Sequence, residues 1–185
     1  YRGVPNSAVS FDLLNEPGFK RPETETLLDD ATYARVVRAL VAAIREHSPD
    51  RLIIADGLNW GRLPVPALAG LGIAQSTRGY DPMEVSHWQA GWIPGAESWP
   101  CPAWPLPGTP EQSAADRSQL EKFRRIFPDN PIVQRMTADP ALLKAWSRDR
   151  LRAQLIQPWQ ELEAMGVGVH VGEFGAYLAS PDAGW

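Results

Sequence analysis

Short apolar runs and longer apolar stripes follow one another along the chain, and each kind of pattern predicts a different element. The short runs are almost continuously apolar, which is typical of parallel strands buried on both faces. Stripes spaced by three and four residues instead predict surface helices, one from a cap at Asp30 to about His47 and one that ends at Gly166. The order strand, helix, strand, strand, helix, strand predicts an α/β fold with parallel pairing. The predicted strands are residues 9–14, 52–55, 72–77 and 167–171.

The middle of the chain has no such pattern. Residues 81–137 contain proline, tryptophan and glycine without a period, which predicts an irregular excursion with one short helix at 114–126. An insertion of this length in a compact fold usually carries function. Asp139 and Pro140 then predict the start of the second helix, and Pro158 within it should produce a kink.

Composition and charge narrow the classes of partner. At 185 residues the chain is long enough to form one domain with a core. Its formal net charge of -4 argues against nucleic acid or an anionic membrane as the main partner. No apolar run approaches the roughly 20 residues that span a bilayer, and no signal-peptide pattern is present. Cys101 is the only cysteine, so an intrachain disulfide is excluded.

Two of the predicted strands end in a glutamate that is followed by a turn. The first is Glu16, in an Asn-Glu-Pro motif, and the second is Glu173, in a Gly-Glu-Phe-Gly motif. Carboxylates at the carboxyl ends of parallel strands gather at the mouth of an α/β barrel, where catalytic groups collect. Cleavage of a glycosidic bond needs two of them, one to protonate the leaving oxygen and one to attack or stabilise the anomeric carbon. The pair therefore predicts glycosidic bond cleavage, with Glu16 and Glu173 as the catalytic residues.

Together these motifs resemble the family 5 glycoside hydrolases, the cellulase-like members of a clan of retaining β-glycanases. In that family an Asn-Glu-Pro motif ends strand four and a Gly-Glu-Phe-Gly motif ends strand seven, with a His-x-Tyr-x-Pro segment between them. The resemblance implies a (β/α)8 barrel of the TIM type, in which Glu16 is the general acid and base and Glu173 is the nucleophile of a double displacement. It implies neither a cofactor nor a metal. The matching segments are residues 15–17, 56–60, 78–82, 86–89 and 172–175.

The resemblance also implies contacts to the sugar, and each has an alternative interpretation. Asn15 would hydrogen-bond the 2-hydroxyl, although the same residue would suit the cap of a turn. Tyr80 would donate to Glu173, or else be a core aromatic with its hydroxyl at the rim. His87 would contact the groove or be purely structural. The family's histidine two positions before the tyrosine is Arg78 here, so that active-site contact is either replaced or lost.

The eight tryptophans of the chain suit a carbohydrate partner. An indole on a loop is hard to bury fully, and its flat ring matches the apolar C–H face of a pyranose. Trp60 and Trp88 are the first candidates for such platforms, the alternative being that they pack the irregular excursion onto the barrel. The expected partner is a β-linked polysaccharide or oligosaccharide, with no nucleic acid and no membrane.

The resemblance covers only part of a barrel. It begins at strand four and stops after strand seven, whereas a whole barrel takes roughly 250 residues. Residues 1–185 are therefore interpreted as a partial catalytic domain that lacks strands one to three and strand eight. The isolated chain is expected to be poorly stable and inactive. The full-length parent is expected to be a secreted monomer, because polysaccharides of this kind do not enter cells.

Two alternatives from other classes are kept beside this interpretation. One is a non-catalytic carbohydrate-binding protein or an inactive barrel fragment that keeps the groove without turnover. The other is an α/β hydrolase acting on esters, which the absence of a Gly-x-Ser-x-Gly motif disfavours. Cellulose, mannan, xyloglucan and small glycosides all remain open as substrates, as do endo and exo action.

Overall fold

The computed structural model describes Tyr1, residues 3–18 and residues 28–181. Its strands and α-helices are joined by 3-10 turns at Pro66–Leu68, Ala96–Ser98 and Pro140–Leu143. In chain order they are β1 (Phe11–Asp12), α1 (Asp30–Arg45), β2 (Ile53–Asp56), α2 (Leu58–Gly61), β3 (Ala74–Gly79), α3 (Met83–Ser86), α4 (Pro110–Ile126), α5 (Pro131–Ala138), α6 (Arg148–Leu151), α7 (Gln157–Ala164) and β4 (Gly168–Phe174).

The four strands lie parallel in one sheet, in the order β1-β2-β3-β4. Helical segments connect each strand to the next. Strands that follow one another along the chain are also neighbours in the sheet. A doubly wound sheet would reverse its order part-way, whereas a barrel adds its strands in sequence order. The predicted α/β fold is therefore confirmed, and the sheet is an arc of a (β/α)8-type barrel whose strands all end at one edge.

The strands differ in burial from the prediction. Strand β2 is buried along its whole length, as a strand buried on both faces should be. Strands β1 and β4, predicted from the same apolar pattern, are half-buried to exposed, and Val171 in β4 is 52% exposed. These two strands are the edges of the arc, and an edge strand lacks a neighbour on one side. Strand β1 is also shorter than the predicted strand at residues 9–14, since only Phe11 and Asp12 pair with β2.

Helix α1 supports the sheet on the side of β2. Its buried residues Tyr33, Val37 and Val41 share one core cluster with Ile53 and Ala55 of β2, which confirms the predicted stripe in part. The apolar stripe predicted for this helix comprises Val37, Leu40, Val41 and Ile44. Of these, Leu40 is instead 39% exposed.

The sequence predicts Asp30 as the N-cap of α1, but the N-cap is Asp29. The backbone of Asp29 is extended, and its carboxylate accepts the amide of Thr32 at 2.7 Å. Asp30 already has its place in the first helical turn, where acidic residues are favoured by the helix dipole.

The excursion at residues 81–137 is more regular than predicted, because it contains α3, α4 and α5. Helix α4 starts four residues before the predicted helix, at a capping box between Thr109 and Gln112 followed by Pro110. It buries no residue, which is why no apolar stripe marks its full length. Helix α5 was missed. It is short, and the buried Asn130 caps it by accepting the amide of Ile132.

The second predicted helix starts later than expected. Asp139 and Pro140 begin only a 3-10 turn, and α6 begins at Arg148 after its own cap, Ser147. A π-helical turn then separates α6 from α7, and Pro158 follows it as the second residue of α7. Proline has no amide hydrogen to donate to the preceding turn, so the break at the predicted kink is confirmed. Within the described ranges, no helix combines the length and the apolar character needed to cross a membrane.

Arg51 ties the segment before β1 to the start of β2, and its removal is expected to lower stability by about 3 kcal/mol. The side chain is 2% exposed, donates to the carbonyls of Val4 and Val9 at 3.0 and 2.7 Å, and lies over the ring of Phe11. Arg51→Ala would leave these carbonyls buried without donors. Urea unfolding of the full-length protein that contains this chain measures the difference, with Arg35→Ala on the exposed face of α1 as control. Equal stabilities of the two variants would contradict this role.

Candidate active site

The carboxyl edge of the sheet brings together the residues that the sequence singled out. Glu16 lies in the loop after β1, and Glu173 lies near the end of β4. Between them, Asp56 ends β2 and Arg78 is the last residue but one of β3. Because parallel strands end on the same side, all four side chains meet at one edge.

Arg78 lies between the two glutamates. Its Nε atom is 3.3 Å from Oε1 of Glu16 and 3.4 Å from Oε1 of Glu173. Since both oxygens contact one atom, they are no more than about 7 Å apart, an upper limit that admits the roughly 5–5.5 Å separation of retaining glycosidases. The structure thus places both predicted glutamates in one constellation on the same side of the sheet.

The guanidinium of Arg78 is held from its other side by Asp56. Nη1 donates to Oδ1 of Asp56 at 3.1 Å and Nη2 donates to Oδ2 at 2.6 Å. Arg78 is 4% exposed and Asp56 is fully buried. Nη1 also donates to Oγ of Ser76 at 2.9 Å, and Nη2 to Oδ1 of Asn15 at 3.1 Å. The position at which the family has a histidine is thus occupied by an arginine that touches Asn15 and both glutamates.

Asp56 also fixes the backbone of Glu16. The amide of Glu16 donates to Oδ2 of Asp56 at 2.7 Å, and Glu16 has a φ of 49°, in the left-handed region. A residue with a side chain pays steric strain in that region, and such strain is found where the surrounding contacts enforce it. The hydrogen bond from the amide is one such contact, and it sets the direction in which the Glu16 side chain leaves the loop.

A β-bulge and two glycines make room for the guanidinium. Thr77 pairs with Val171 and Arg78 pairs with Glu173, so Gly172 is an extra residue in β4. A Cβ on Gly172 would lie 2.5 Å from Nη1 of Arg78, and one on Gly61 would lie 2.6 Å from its Cγ. Both distances are shorter than van der Waals contact allows, so the glycines leave the space that the arginine fills. Bulges beside active sites often re-aim a side chain in this way.

Tyr80 contacts the second oxygen of Glu173. Its hydroxyl donates to Oε2 at 2.9 Å, while Oε1 faces Arg78. Burial, together with the hydrogen bond to Glu173 and the charges of both glutamates, raises the pKa of the Tyr80 hydroxyl. Tyr80 therefore remains a protonated donor to Glu173 across the neutral pH range.

His87 lies in a row of rings beside Tyr80. Its ring meets Tyr80 edge-on at 5.1 Å and Trp92 at 6.0 Å, and Trp92 in turn meets Tyr177 at 4.9 Å. The hydroxyl of Ser86 donates to the carbonyl of Tyr80, so Nδ1 of His87 must donate to Ser86 Oγ across 2.8 Å. In the neutral imidazole, Nε2 is then an acceptor.

The tryptophans occupy different places. Trp60 is 40% exposed and stands against Gly18, in the loop that carries Glu16, where a Cβ would lie 2.8 Å from the Trp60 amide. Trp88 donates its indole N–H to the carbonyl of Trp99 at 3.1 Å, a bond within the loop after β3. Trp92, whose ring contacts that of His87, is 60% exposed. Trp92 is thus more exposed than Trp88, and it lies in the row of rings that begins at Tyr80.

The imidazole of His87 is expected to titrate below its usual value of 6.5. Burial is the larger cause and the positive charge of Arg62 adds to it; both lower the pKa, so the ring is neutral at pH 7 and gains its proton only at lower pH. An NMR titration measures the midpoint, with the signal assigned from a His87→Gln spectrum. Arg62→Ala should raise the midpoint in part, because burial remains. A midpoint above 6.5 in the parent would contradict the buried, neutral ring.

A separate cavity of about 300 Å³ lies between α4, α5 and the loop after β3. Four of its charged groups form ion pairs, Arg62 with Asp81 at 2.8 Å and Arg150 with Asp116 at 2.7 Å, and Glu84 accepts from the side-chain amide of Gln112 at 2.8 Å. Neither of the two predicted catalytic glutamates lines it. In the part of the chain that the structure describes, no three His, Cys, Asp or Glu side chains come together as a metal site would require.

The fold was compared with solved structures. A structure described as a glycoside hydrolase matches 96% of this chain at 33% sequence identity, with a TM-score of 0.69. The predicted resemblance to the glycoside hydrolases is confirmed. This chain spans only 43% of the length of that glycoside hydrolase. No family model matches the sequence, and no curated protein matches it.

Two further solved structures match this chain at lower sequence identity. Thermotoga maritima Cel5A in complex with mannotriose matches 97% of this chain at 17% identity and a TM-score of 0.47, over 55% of its own length. The Clostridial cellulose synthase subunit Z from Clostridioides difficile matches 92% of this chain at 17% identity and a TM-score of 0.43, over 54% of its length. The likeness to the first glycoside hydrolase is the one on which the comparison rests.

The sequence anticipated most of this site but not its centre. The predicted hydrogen bond from Tyr80 to Glu173 is present, and Asn15 and both glutamates are brought together through their contacts with Arg78. Asp56 and Arg78 were not expected to hold them together. The available signal was an arginine inside a buried strand, next to a strand that ends in aspartate, since a buried arginine needs a carboxylate partner.

Proposed function

We propose that this chain carries the catalytic glutamates of a retaining glycoside hydrolase of the cellulase-like family 5 type, acting on a β-linked glycan. The observation that supports this most directly is that Glu16 and Glu173 both contact Nε of Arg78 at the carboxyl edge of a parallel sheet. Two carboxyl groups this close together at one edge of a parallel sheet are what glycosidic cleavage requires.

In the first step Glu173 attacks the anomeric carbon while Glu16 gives its proton to the glycosidic oxygen, and the bond between that oxygen and the anomeric carbon breaks. The product is a glycosyl ester of Glu173. In the second step Glu16 takes a proton from water, which attacks the anomeric carbon and releases Glu173. Glu173 accepts from the Tyr80 hydroxyl through Oε2 and forms an ion pair with Arg78 through Oε1, and these two contacts support its role as nucleophile because they hold the carboxylate in one orientation.

The proposed sugar contacts surround these two residues. The Oδ1 atom of Asn15 accepts from Arg78, which leaves the amide nitrogen as the donor for a sugar hydroxyl. His87 would accept a hydroxyl proton at Nε2. Trp60 and, less directly, Trp88 are proposed to stack on pyranose faces, and the exposed ring of Trp92 is a further candidate.

We further propose that residues 1–185 form one part of a catalytic barrel, which the rest of the parent protein completes. Within the described residues, β1 pairs with β2 and β4 pairs with β3, so each edge strand has one neighbour. Apolar side chains on β4 are exposed, Val171 by 52% and Phe174 by 76%, and a closed barrel would cover such surface. The full-length protein would act as a monomer outside the cell, where polysaccharides are found, without a cofactor.

The test is hydrolysis by the full-length protein that contains this chain. It is assayed on a panel of β-1,4-linked polysaccharides and on short oligosaccharides, and NMR follows the anomer that forms first. Retention predicts that the β-anomer appears before mutarotation. Initial formation of the α-anomer would contradict the double displacement. Binding of a glycan without hydrolysis would instead favour the non-catalytic alternative.

A further inference from the structure

The buried ion pair between Asp56 and Arg78 contacts Asn15 and both proposed catalytic glutamates. Arg78 touches Asn15, Glu16 and Glu173, and Asp56 accepts the amide of Glu16. Resting on the proposed function, we propose that Asp56 and Arg78 are a positioning pair that sets the distance and orientation of the two catalytic glutamates.

The geometry of the guanidinium explains how one side chain reaches both glutamates. Two of its nitrogens, Nη1 and Nη2, bind the two oxygens of Asp56, so the plane of the group is fixed. The Nε atom lies in the same plane, at the edge that does not contact Asp56, and this edge faces Glu16 and Glu173. A histidine has only two ring nitrogens, and it could not bind Asp56 twice and also face two carboxylates.

The charge of Arg78 also allows the glutamates to be close. Whenever both glutamates are ionised, as before Glu16 takes up the proton that it later gives to the leaving oxygen, two carboxylates only a few ångström apart repel each other. A guanidinium between them offsets that repulsion, and because it is 4% exposed its interaction is only weakly screened by water. A lysine would keep the charge, but its single ammonium has no planar fork with which to hold Asp56 and the glutamates at once.

Asp56 acts on Glu16 by a second route. The same Oδ2 that accepts from Arg78 also accepts the amide of Glu16, whose φ is 49°. The backbone of the acid and base residue and the guanidinium beside its side chain therefore have one common anchor. Removing the Asp56 charge would loosen both contacts together.

The space around Arg78 is matched to its shape. Gly172 is the bulged residue of β4, and a Cβ there would lie 2.5 Å from Nη1 of Arg78 and 2.5 Å from Oγ of Ser76. The backbone of Gly172 is not in the left-handed region, so alanine can adopt its conformation. Gly172→Ala therefore displaces the guanidinium without imposing backbone strain, which makes it an independent probe of the same contact.

The chain also contains a matched control. Arg62 and Asp81 form another two-contact ion pair near the same edge, at 2.8 and 3.2 Å, but the ion pairs of Arg62 and Asp81 do not include either glutamate. If Arg78 supported the fold only in the way that any two-contact ion pair near this edge does, Arg62→Lys would lower activity as much as Arg78→Lys.

The experiment compares kcat and KM of variants made in the full-length protein, on the polysaccharide that the parent hydrolyses fastest. Arg78→Lys is expected to lower kcat by about 100-fold while KM stays within about threefold, because a small misplacement of reacting groups has an effect of this size. Gly172→Ala and Asp56→Asn should each lower kcat by at least about 10-fold. The Asp56→Asn/Arg78→Lys double variant should be within about threefold of the poorer single variant, since residues that act as one unit are not additive. Arg62→Lys should stay within about threefold of the parent.

The outcomes separate this inference from the proposed function. If Arg78→Lys and Gly172→Ala keep kcat near the parent value, or lose activity through KM alone, the positioning role is wrong, while an inactive Glu173→Gln would leave the proposed function in place. If Glu173→Gln stays active, the proposed function itself is wrong. Should Arg78→Lys fail to fold, Gly172→Ala and Asp56→Asn decide the question by the same criterion.

Discussion

Glu173→Gln is expected to abolish hydrolysis, lowering kcat by at least about 10⁴-fold. The amide has nearly the same shape as the carboxylate, but it lacks the charged oxygen that would form the bond to the anomeric carbon. The fold should survive, because Tyr80 can still donate to the remaining carbonyl oxygen of residue 173. Initial rates on the best polysaccharide measure the loss, and circular dichroism checks that the variant is folded.

Glu16→Gln provides the discriminating comparison. It should lower kcat by about 10²- to 10⁴-fold on polysaccharides, whose leaving groups need a proton. On an aryl β-glycoside with a good leaving group, the first step needs no acid, so this variant should still release a burst of the phenol. Glu173→Gln should show no burst. Glu163→Gln, at an exposed position on α7, is the matched control, and turnover by Glu173→Gln at the rate of that control would overturn the assignment.

The parts of the fold that followed from the sequence are those in which local pattern and environment agree. The run at 52–55 is apolar because β2 is buried on both faces, and its position differs from the prediction by one residue. The two glutamates could be assigned because each stands at the end of an apolar run that predicts a strand, and parallel strands all end at one edge. In both cases the residue and its role depend on a single element.

The parts that the sequence did not give depend on contacts between distant elements. Arg78 and Asp56 are 22 residues apart, and their pairing becomes meaningful only once β2 and β3 are neighbours. Arg78 stands where the family has a histidine, so the sequence left open whether that contact is replaced or lost and did not indicate Asp56 as the partner of the arginine. Helix α5 was missed for a related reason, because Ile132, Val133 and Met136 have a packing face only against the core beside α1.

The aromatic residues show the same limit. Loop position predicted Trp60 and Trp88 as platforms, and Trp60 does stand half-exposed against the loop of Glu16. The difference between Trp88 and Trp92 depends on a hydrogen bond from the Trp88 indole to the carbonyl of Trp99 and on the row of rings from Tyr80 to Tyr177. No period in the sequence encodes such contacts, since they arise where the loop folds back on itself.

The 185-residue chain expressed alone is expected to aggregate, to show no cooperative unfolding and to have at least about 10³-fold less activity than its full-length parent. The physical reason lies in the sheet. Four parallel strands in an arc have two open edges, whose unpaired N–H and C=O groups can pair with other copies. Phe174 and Leu178, which are 76% and 91% exposed, add apolar surface beside the open edge at β4.

The measurements are size-exclusion chromatography with light scattering, thermal unfolding, and hydrolysis of a chromogenic β-glycoside, each with the full-length parent under the same conditions. The expected loss of activity has a specific cause. Glu16 follows β1 and Glu173 lies in β4, the two edge strands, so the distance between them depends on the curvature of the whole arc. A closed barrel fixes that curvature through its shear and strand tilt, whereas an open arc can flatten and separate the carboxylates. A monomeric, cooperatively unfolding chain whose activity disappears in Glu173→Gln would show that the contacts of Arg78 suffice to hold the glutamates, and that the proposed dependence on further strands is wrong.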